Sequence, residues 1–263
     1  MSKKRLDLLM VEKGLVSSRE RARVLILSGE VSVNGATVRK AGDSFQEDAE
    51  IVLKKADCPY VSRGGLKLEK AINEFGIDLR GRICMDIGAS TGGFTDCMLM
   101  NGAVKVYAID VGYGQLAWKL RTDERVVVME RVNARYLTKD DIPDDPDFAS
   151  IDVSFISLKL IIPALKGLEV KEVAALIKPQ FEAGREKVGK KGIVREKETH
   201  MEVLRDITDS IFDMGYSVEG VTFSPIKGQD GNIEFLGHFV LSDEPVRLSD
   251  EAILDIVSRA HEL

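Results

Sequence analysis

Cysteine is scarce in this chain. Its three cysteines, Cys58, Cys84 and Cys97, match no metal-ligand spacing and cannot pair off evenly. A disulfide scaffold and a zinc–cysteine centre are therefore excluded, no bound metal is expected, and a reducing cytoplasm is the expected location. Long apolar runs are also missing. None approaches the roughly 20 residues that span a bilayer, and no stretch reads as the basic amphipathic helix that coats one. The start, Met1-Ser2-Lys3-Lys4-Arg5, is basic, but Asp7, Glu12 and Lys13 follow it where a signal peptide would carry its apolar core. Nor does one sign of charge dominate everywhere. The net charge is −6, yet residues 1–60 hold eleven Lys/Arg against nine Asp/Glu, so the remainder carries −8. Contacts to nucleic acid must come from local patches on a basic-leaning small module. With 44% hydrophobic residues in 263, there is enough apolar side chain for a large core or two.

The small module comes first. Leu6, Leu8, Leu9, Val11 and Leu15 predict a short helix stopped by Gly14. Ser17 with Glu20 reads as a capping box for a second helix. That helix turns Ala22, Leu25 and Ile26 inward and leaves Arg19 and Arg23, four apart, on one exposed face. Two alternating runs around Asn34-Gly35 predict a hairpin, and Glu50–Leu53 reads as a closing strand. This order of elements, with the run "SGEVSVNG", resembles the small RNA-binding domain named after ribosomal small-subunit protein four. The resemblance implies RNA contacts from Arg5, Arg19, Arg21, Arg23 and Lys40, of the kind that position a substrate without reading its sequence. The module is expected to span 1–56, with Asp57-Cys58-Pro59-Tyr60 as a linker because Pro59 disfavours helix before it.

The remainder, 61–263, alternates strand and helix. An amphipathic helix over 64–76 turns Leu68, Ala71, Ile72 and Phe75 to one face. Strands are predicted at 82–86, 104–110, 125–130, 148–151 and 173–177, a rhythm that specifies a mostly parallel sheet covered on both faces. A helix over 201–214 and two strands, 216–223 and 233–241, joined only by a loop, close the chain with an antiparallel pair. The fold class is thus α/β, a Rossmann-like sheet with a final antiparallel strand, plus a small α+β domain. The first strand ends in Asp86-Ile-Gly88-Ala-Ser90-Thr91-Gly92-Gly93-Phe94. Glycines there let a cofactor approach the backbone, but the spacing is neither the dinucleotide G-x-G-x-x-G nor a P-loop. It resembles motif I of S-adenosylmethionine-dependent methyltransferases. Asp110 ends the next strand, where an acid accepts ribose hydroxyls. Glu130 and Asn133 end the third, where such enzymes edge the adenine.

The segments after the later strands bear on the chemistry. Ile151-Asp152-Val153-Ser154-Phe155 lacks the prolines with which base-amine methyltransferases hold their target. Cys84 and Cys97 fall within a strand and a helix, so neither is placed as a nucleophile for carbon methylation. Lys67, Asp152, Lys178 and Glu234, in this order, resemble the Lys-Asp-Lys-Glu tetrad of the ribose 2′-O-methyltransferases of the RrmJ/FtsJ class. A ribose hydroxyl is a poor nucleophile, so a base must take its proton. Lysine serves if burial and a neighbouring cation lower its pKa, with carboxylates to position it and to offset a sulfonium charge. Lys178 is the expected base. Asp152 is expected to face the cofactor as well.

Several longer runs extend the likeness over the whole chain: "VSRGGLKL", "DIGASTGGFTD", "AIDVGYGQLAWKLR", "VVVMERVNAR", "LIKPQFEAG" and "SPIKGQDGNIEF". By these the chain resembles the TlyA family of bacterial rRNA cytidine-2′-O-methyltransferases, some of whose members carry a haemolysin label. The resemblance implies S-adenosylmethionine as cofactor and ribosomal RNA in one or both subunits as substrate, and leaves monomer or homodimer open. The loops 184–192 and 224–232 are expected at the cleft mouth, with Lys187, Lys190 and Lys191 toward RNA phosphates. Two other functions remain to be weighed: a non-catalytic RNA-binding factor in ribosome assembly, against which an intact tetrad argues, and a membrane-lysing protein, against which the missing apolar runs argue.

Overall fold

A computed structural model describes residues 3–16, 18–53, 58–228 and 231–262. The chain divides into two compact units, Met1–Pro59 and Tyr60–Leu263.

The first unit contains β1 (Lys3–Arg5), α1 (Leu6–Glu12), α2 (Arg19–Leu27), β2 (Val31–Val33), β3 (Ala36–Val38), β4 (Ser44–Gln46) and β5 (Ile51–Leu53). The two helices pack Leu6, Met10, Ala22 and Ile26 over Val31 and Val33, all buried. Asn34 and Gly35 both take left-handed backbone, as a two-residue hairpin requires, and β5 joins β2 on its other edge. Ser17 lies outside the described residues. The described cap of α2 is Ser18, whose Oγ accepts from the Arg21 N–H at 3.1 Å. A second sheet, β1 with β4, was not foreseen from sequence, because no short turn such as the Asn34-Gly35 that marks the β2–β3 hairpin joins its two strands.

The second unit is built on seven strands. In chain order it runs α3 (Gly64–Phe75), β6 (Ile83–Ile87), α4 (Gly93–Met100), β7 (Lys105–Asp110), α5 (Trp118–Arg121), β8 (Val126–Glu130) and β9 (Phe148–Ile151). Then come α6 (Ile162–Gly167), β10 (Glu172–Ile177), α7 (Pro179–Glu182), α8 (Lys197–Asp213), β11 (Tyr216–Phe223), β12 (Phe235–Leu241) and α9 (Asp250–Ala260). The sheet order is β11-β12-β10-β9-β6-β7-β8. β12 runs antiparallel to both its neighbours, while β10, β9, β6, β7 and β8 are mutually parallel. Alternation divides the strand residues between two faces. Met85 and Ile87 join the core that holds Ile162, Leu204 and Ile253. Cys84 and Asp86 turn the other way, toward α4. Tyr60 belongs to this unit rather than to a linker: its ring is buried beside Gly65 and its hydroxyl donates to Glu69 at 2.7 Å.

β6 pairs with β7 on one side and β9 on the other. At that point the connections leave in opposite directions, which opens a crevice at the carboxyl ends of the strands. The glycine loop after β6 and the Asp152 segment after β9 form its floor.

Candidate active site

Gly88 is where the crevice is tightest. Its φ is +87°, and a Cβ there would stand 2.4 Å from the Asp152 carbonyl oxygen. The Gly88 and Ala89 N–H groups both donate to Ile109 O, so the loop is stitched to the end of β7. Ser90 also holds a left-handed backbone, at φ +48°. Its N–H donates to Asp110 Oδ2 at 2.8 Å and the Gly112 N–H donates to Oδ1 at 2.6 Å. Asp110 thus shapes the loop and still has lone pairs to offer on the cavity side.

Three cavities meet at this floor. One of 470 Å³ is lined by Gly88, Ser90, Asp110, Asn133, Asp152 and mainly apolar side chains including Ile109 and Val132. A second, of 410 Å³, shares Gly88, Ser90 and Asp152 and adds Ser62, Arg63, Thr91, Gly93, Phe94 and Lys67. The third, of 380 Å³, shares Lys67 with the second and Ser154 and Phe155 with the first. It adds Lys178, Gln180, Phe181 and Glu234. Asp152 and Lys67 therefore stand where neighbouring compartments join.

The four tetrad positions come together as two ion pairs. Lys67 Nζ, on α3, donates to Glu234 Oε2 at 2.6 Å, and both side chains are nearly buried. Lys178 Nζ, directly after β10, lies 2.6 Å from Asp152 Oδ1 and donates to Ser154 Oγ at 3.1 Å. The Asp152 contact is an ion pair without hydrogen-bond alignment; buried Oδ1 accepts no hydrogen bond among the described residues. Gly228 lets the preceding loop lie on Glu234, since a Cβ there would come within 2.5 Å of Oε1.

Not every expected residue reaches the cleft. Asp86 does not: it is fully buried, and its Oδ2 accepts from Thr95 N–H and Oγ1 at 2.8 and 2.6 Å while Oδ1 accepts from Ser150 Oγ. Burial pushes its carboxyl up to about 7, against those hydrogen bonds and with the Asp152 charge adding to the rise. It anchors the start of α4 beneath the loop. Gly92, at φ +94°, faces Leu116 and Leu120 and makes room for them. Glu130 is held away by Gly114 N–H and Arg121, the latter a close ion pair. Asn133 lines the mainly apolar 470 Å³ compartment, and its Oδ1 accepts from Arg135 N–H to cap the following turn. Both Cys84 and Cys97 are buried, and desolvation pushes each thiol up to about 12.

On the basic side, Arg5, Arg19 and Arg23 are exposed in part and meet at Asp7, Arg21 is half-buried, and Lys40 is exposed. Lys190 and Lys191 are exposed, but Lys187 is paired with Glu202. Gln229 and Asp230 of the second loop lie outside the described residues. Sequence reasoning missed several lining groups. Phe155 is 90% exposed at φ +65°, and its ring meets Phe181 at 4.9 Å between centroids, tilted by 54°. An aromatic residue three positions past the strand-end acid Asp152 was the available signal. Ser62 and Arg63, just before α3, had the run "VSRGG" as theirs.

A seven-stranded sheet of this order, with a glycine loop at its switch point and two lysine–carboxylate pairs beside it, defines a Rossmann-like methyltransferase. The comparisons with known proteins agree. The FtsJ-like methyltransferase family matches residues 60–240 and the S4 domain matches residues 4–51. YqxC of Bacillus subtilis, which carries a provisional rRNA methyltransferase label, is 52% identical over 98% of this chain and 94% of that protein. The 16S/23S rRNA (cytidine-2′-O)-methyltransferase TlyA of Mycobacterium tuberculosis is 39% identical over 97% of this chain and 96% of that one. A solved Streptococcus thermophilus structure under a hemolysin label superposes with a TM-score of 0.79 at 50% identity, covering all of this chain and 97% of that one. The chain belongs to the FtsJ-like methyltransferase family, in the S4-domain-bearing branch that includes the TlyA enzymes.

Proposed function

We propose that this protein transfers the methyl group of S-adenosylmethionine to the 2′-hydroxyl of a cytidine in ribosomal RNA, acting in the cytoplasm. The observation that carries the reading is the pair of nearly buried ion pairs, Lys67–Glu234 and Lys178–Asp152, at the junction of the cavities. A scaffold protein has no use for two desolvated lysines turned toward one cavity, because such charges are costly to bury.

The cleft fits the cofactor. Gly88 admits only backbone, Asp110 supplies a carboxylate for ribose hydroxyls, and Asn133 edges the apolar compartment where an adenine would lie. Ser90, Thr91, Gly93 and Phe94 border the polar compartment. The Asp152 carboxylate, which lines both the polar and the apolar compartment, offers negative charge where they join. When bound, S-adenosylmethionine supplies an electrophilic methyl on a cationic sulfur. Lys178, as the neutral amine, would take the proton of the attacking hydroxyl on its lone pair and become the ammonium that pairs with Asp152, while Ser154 helps to fix its Nζ. Glu234 holds Lys67 against the same compartment, where its charge stabilises the oxygen losing that proton. Phe155 and Phe181 offer an aromatic surface for the acceptor base. The S4 domain and the exposed lysines of the 184–192 loop would hold phosphates.

Isotope-labelled cofactor incubated with separated ribosomal subunits, followed by digestion to nucleosides, tests this directly. Label is expected on cytidine ribose. Incorporation at background, or label on a base, would overturn the proposal. In the Lys178→Ala variant, transfer should fall by at least about 10²-fold while cofactor affinity stays within about threefold.

A further inference from the structure

Three arginines of the N-terminal unit converge on one buried carboxylate. Asp7, in the first turn of α1, has no exposed surface. Its Oδ1 accepts from Arg5 Nε and its Oδ2 from Arg5 Nη2, both at 3.0 Å, a two-pronged bond. Oδ2 also accepts from Arg19 Nη2 at 3.2 Å and from Arg23 Nε at 3.3 Å. Arg5 closes β1, whereas Arg19 and Arg23 stand one turn apart on α2. Three elements thus aim side chains at one point.

The charge count shows what the cluster is for. A carboxylate is neutralised by one guanidinium, and the two-pronged bond to Arg5 already does so. Arg19 and Arg23 leave two positive charges in excess. That excess is displayed rather than hidden, for the three arginine side chains keep 45%, 43% and 48% of their surfaces exposed. Asp7 engages only a minority of their N–H groups. Like charges at this separation repel, and without a central anion the long side chains would splay into solvent. The Arg5 guanidinium, followed by Arg19, holds the Asp7 carboxyl well below the usual carboxylate range, so the anchor stays ionised.

We propose that Asp7 is a positioning residue that gathers Arg5, Arg19 and Arg23 into a preformed cradle for a backbone phosphate of RNA. This rests on the reading of the N-terminal unit as an RNA-binding module and assigns it a specific contact. Ordering the guanidiniums in advance spares the entropy that three free arginines would lose on binding.

The test exploits a sign. Asp7→Asn makes the full chain one charge more positive, so unstructured electrostatics would strengthen its binding to RNA. A cradle held by Asp7 predicts the reverse. Filter binding to purified 16S and 23S ribosomal RNA, from about 50 to about 300 mM salt, should show affinity reduced about tenfold and a salt slope shallower by about one phosphate contact. A second variant, Arg19→Lys with Arg23→Lys, keeps every charge but loses the planar fork, and should lose affinity to a similar extent. It also decides the matter if thermal melting shows that Asp7→Asn has unfolded the unit. Binding by either folded variant as tight as wild type, or tighter, overturns the role of Asp7 and leaves the RNA reading standing. Failure of the wild-type chain to bind ribosomal RNA overturns both.

Discussion

Gly88 illustrates how a single residue sets the geometry of this cleft. It holds a left-handed backbone and faces the Asp152 carbonyl so closely that an added Cβ would lie at 2.4 Å. Alanine there must both adopt an unfavourable φ and push the Asp152 segment away, and the Asp152 side chain carries the ion pair to Lys178. We expect Gly88→Ala to cost at least about 2 kcal/mol in stability and to weaken cofactor binding at least about tenfold, measured by thermal melting and by calorimetric titration. Gly76 provides the control. It too is left-handed, at φ +67°, but a Cβ would meet nothing within 4 Å. Gly76→Ala should therefore lose about 1 kcal/mol and bind the cofactor as before. If both variants bind equally well, the close approach at Gly88 is not what shapes the site. The same scale explains Asp86. Strand-end position and motif placed it at the cofactor, but alternation along β6 turns it away from the cleft and into a pocket of hydroxyl and N–H donors.

At the scale of elements, the sheet was legible because its strands are long enough to carry a pattern. Predicted and observed limits agree for Phe148–Ile151 and Tyr216–Phe223 and differ by a residue or two at Ile83–Ile87, Lys105–Asp110 and Phe235–Leu241. Helix α9 escaped notice. Its apolar residues Ile253, Ile256, Val257 and Ala260 recur at helical spacing behind the Ser249 cap, so the signal was present in the sequence. It docks on α8 and β11, and two histidines mark the seam: His200 Nδ1 lies 2.8 Å from His261 Nε2. One N–H serves that contact, and a second would set two donors against each other. Burial, then the His261 charge, pushes His200 down to about 4, with its Nε2 left without a partner among the described residues. Desolvation also lowers His261, whose surroundings carry Lys197, Glu198, Lys227 and Glu196. In the unfolded chain His200 titrates near 6.5. At this group the unfolded state therefore binds more protons between about 6.5 and about 4, so the His200 contribution to stability falls as pH drops through that window, while Asp86, raised to about 7, contributes in the opposite sense. The loss for His200 amounts to about 3 kcal/mol. Chemical denaturation of the wild-type chain and of His200→Phe, which removes the titrating ring, isolates it: the difference in stability between the two should change by about that amount across the window. A difference that stays constant with pH would show that the ring does not titrate as described.

For the molecule as a whole, the sequence was most informative where chemistry demands a residue at a fixed place in the topology, and least where neighbours decide. The order Lys67, Asp152, Lys178, Glu234 could be read along the chain, and the fold brings those residues into adjoining cavities. Their pairing could not be read, because Lys67 meets a partner 167 positions away only after β12 has inserted beside β10. The exposure of Phe155 was not readable for a related reason, since it follows from a local left-handed backbone, although its place just past Asp152 was visible. The division of labour between the units leads to a last expectation. Every residue lining the three cavities, from Ser62 to Glu234, belongs to the second unit, which also has its own extensive core. A chain of residues 60–263 should thus fold and bind S-adenosylmethionine within about threefold of the full protein. The basic cluster around Asp7 lies wholly in the first unit, so on the proposed reading the shortened chain would lose phosphate contacts that hold a substrate without taking part in the chemistry. Methylation of ribosomal subunits should drop by at least about 10²-fold, chiefly through a raised KM. That drop should shrink at low salt, where the remaining lysines bind phosphate more strongly. Equal activity of the short and full chains on subunits would show that the first unit does not capture the substrate.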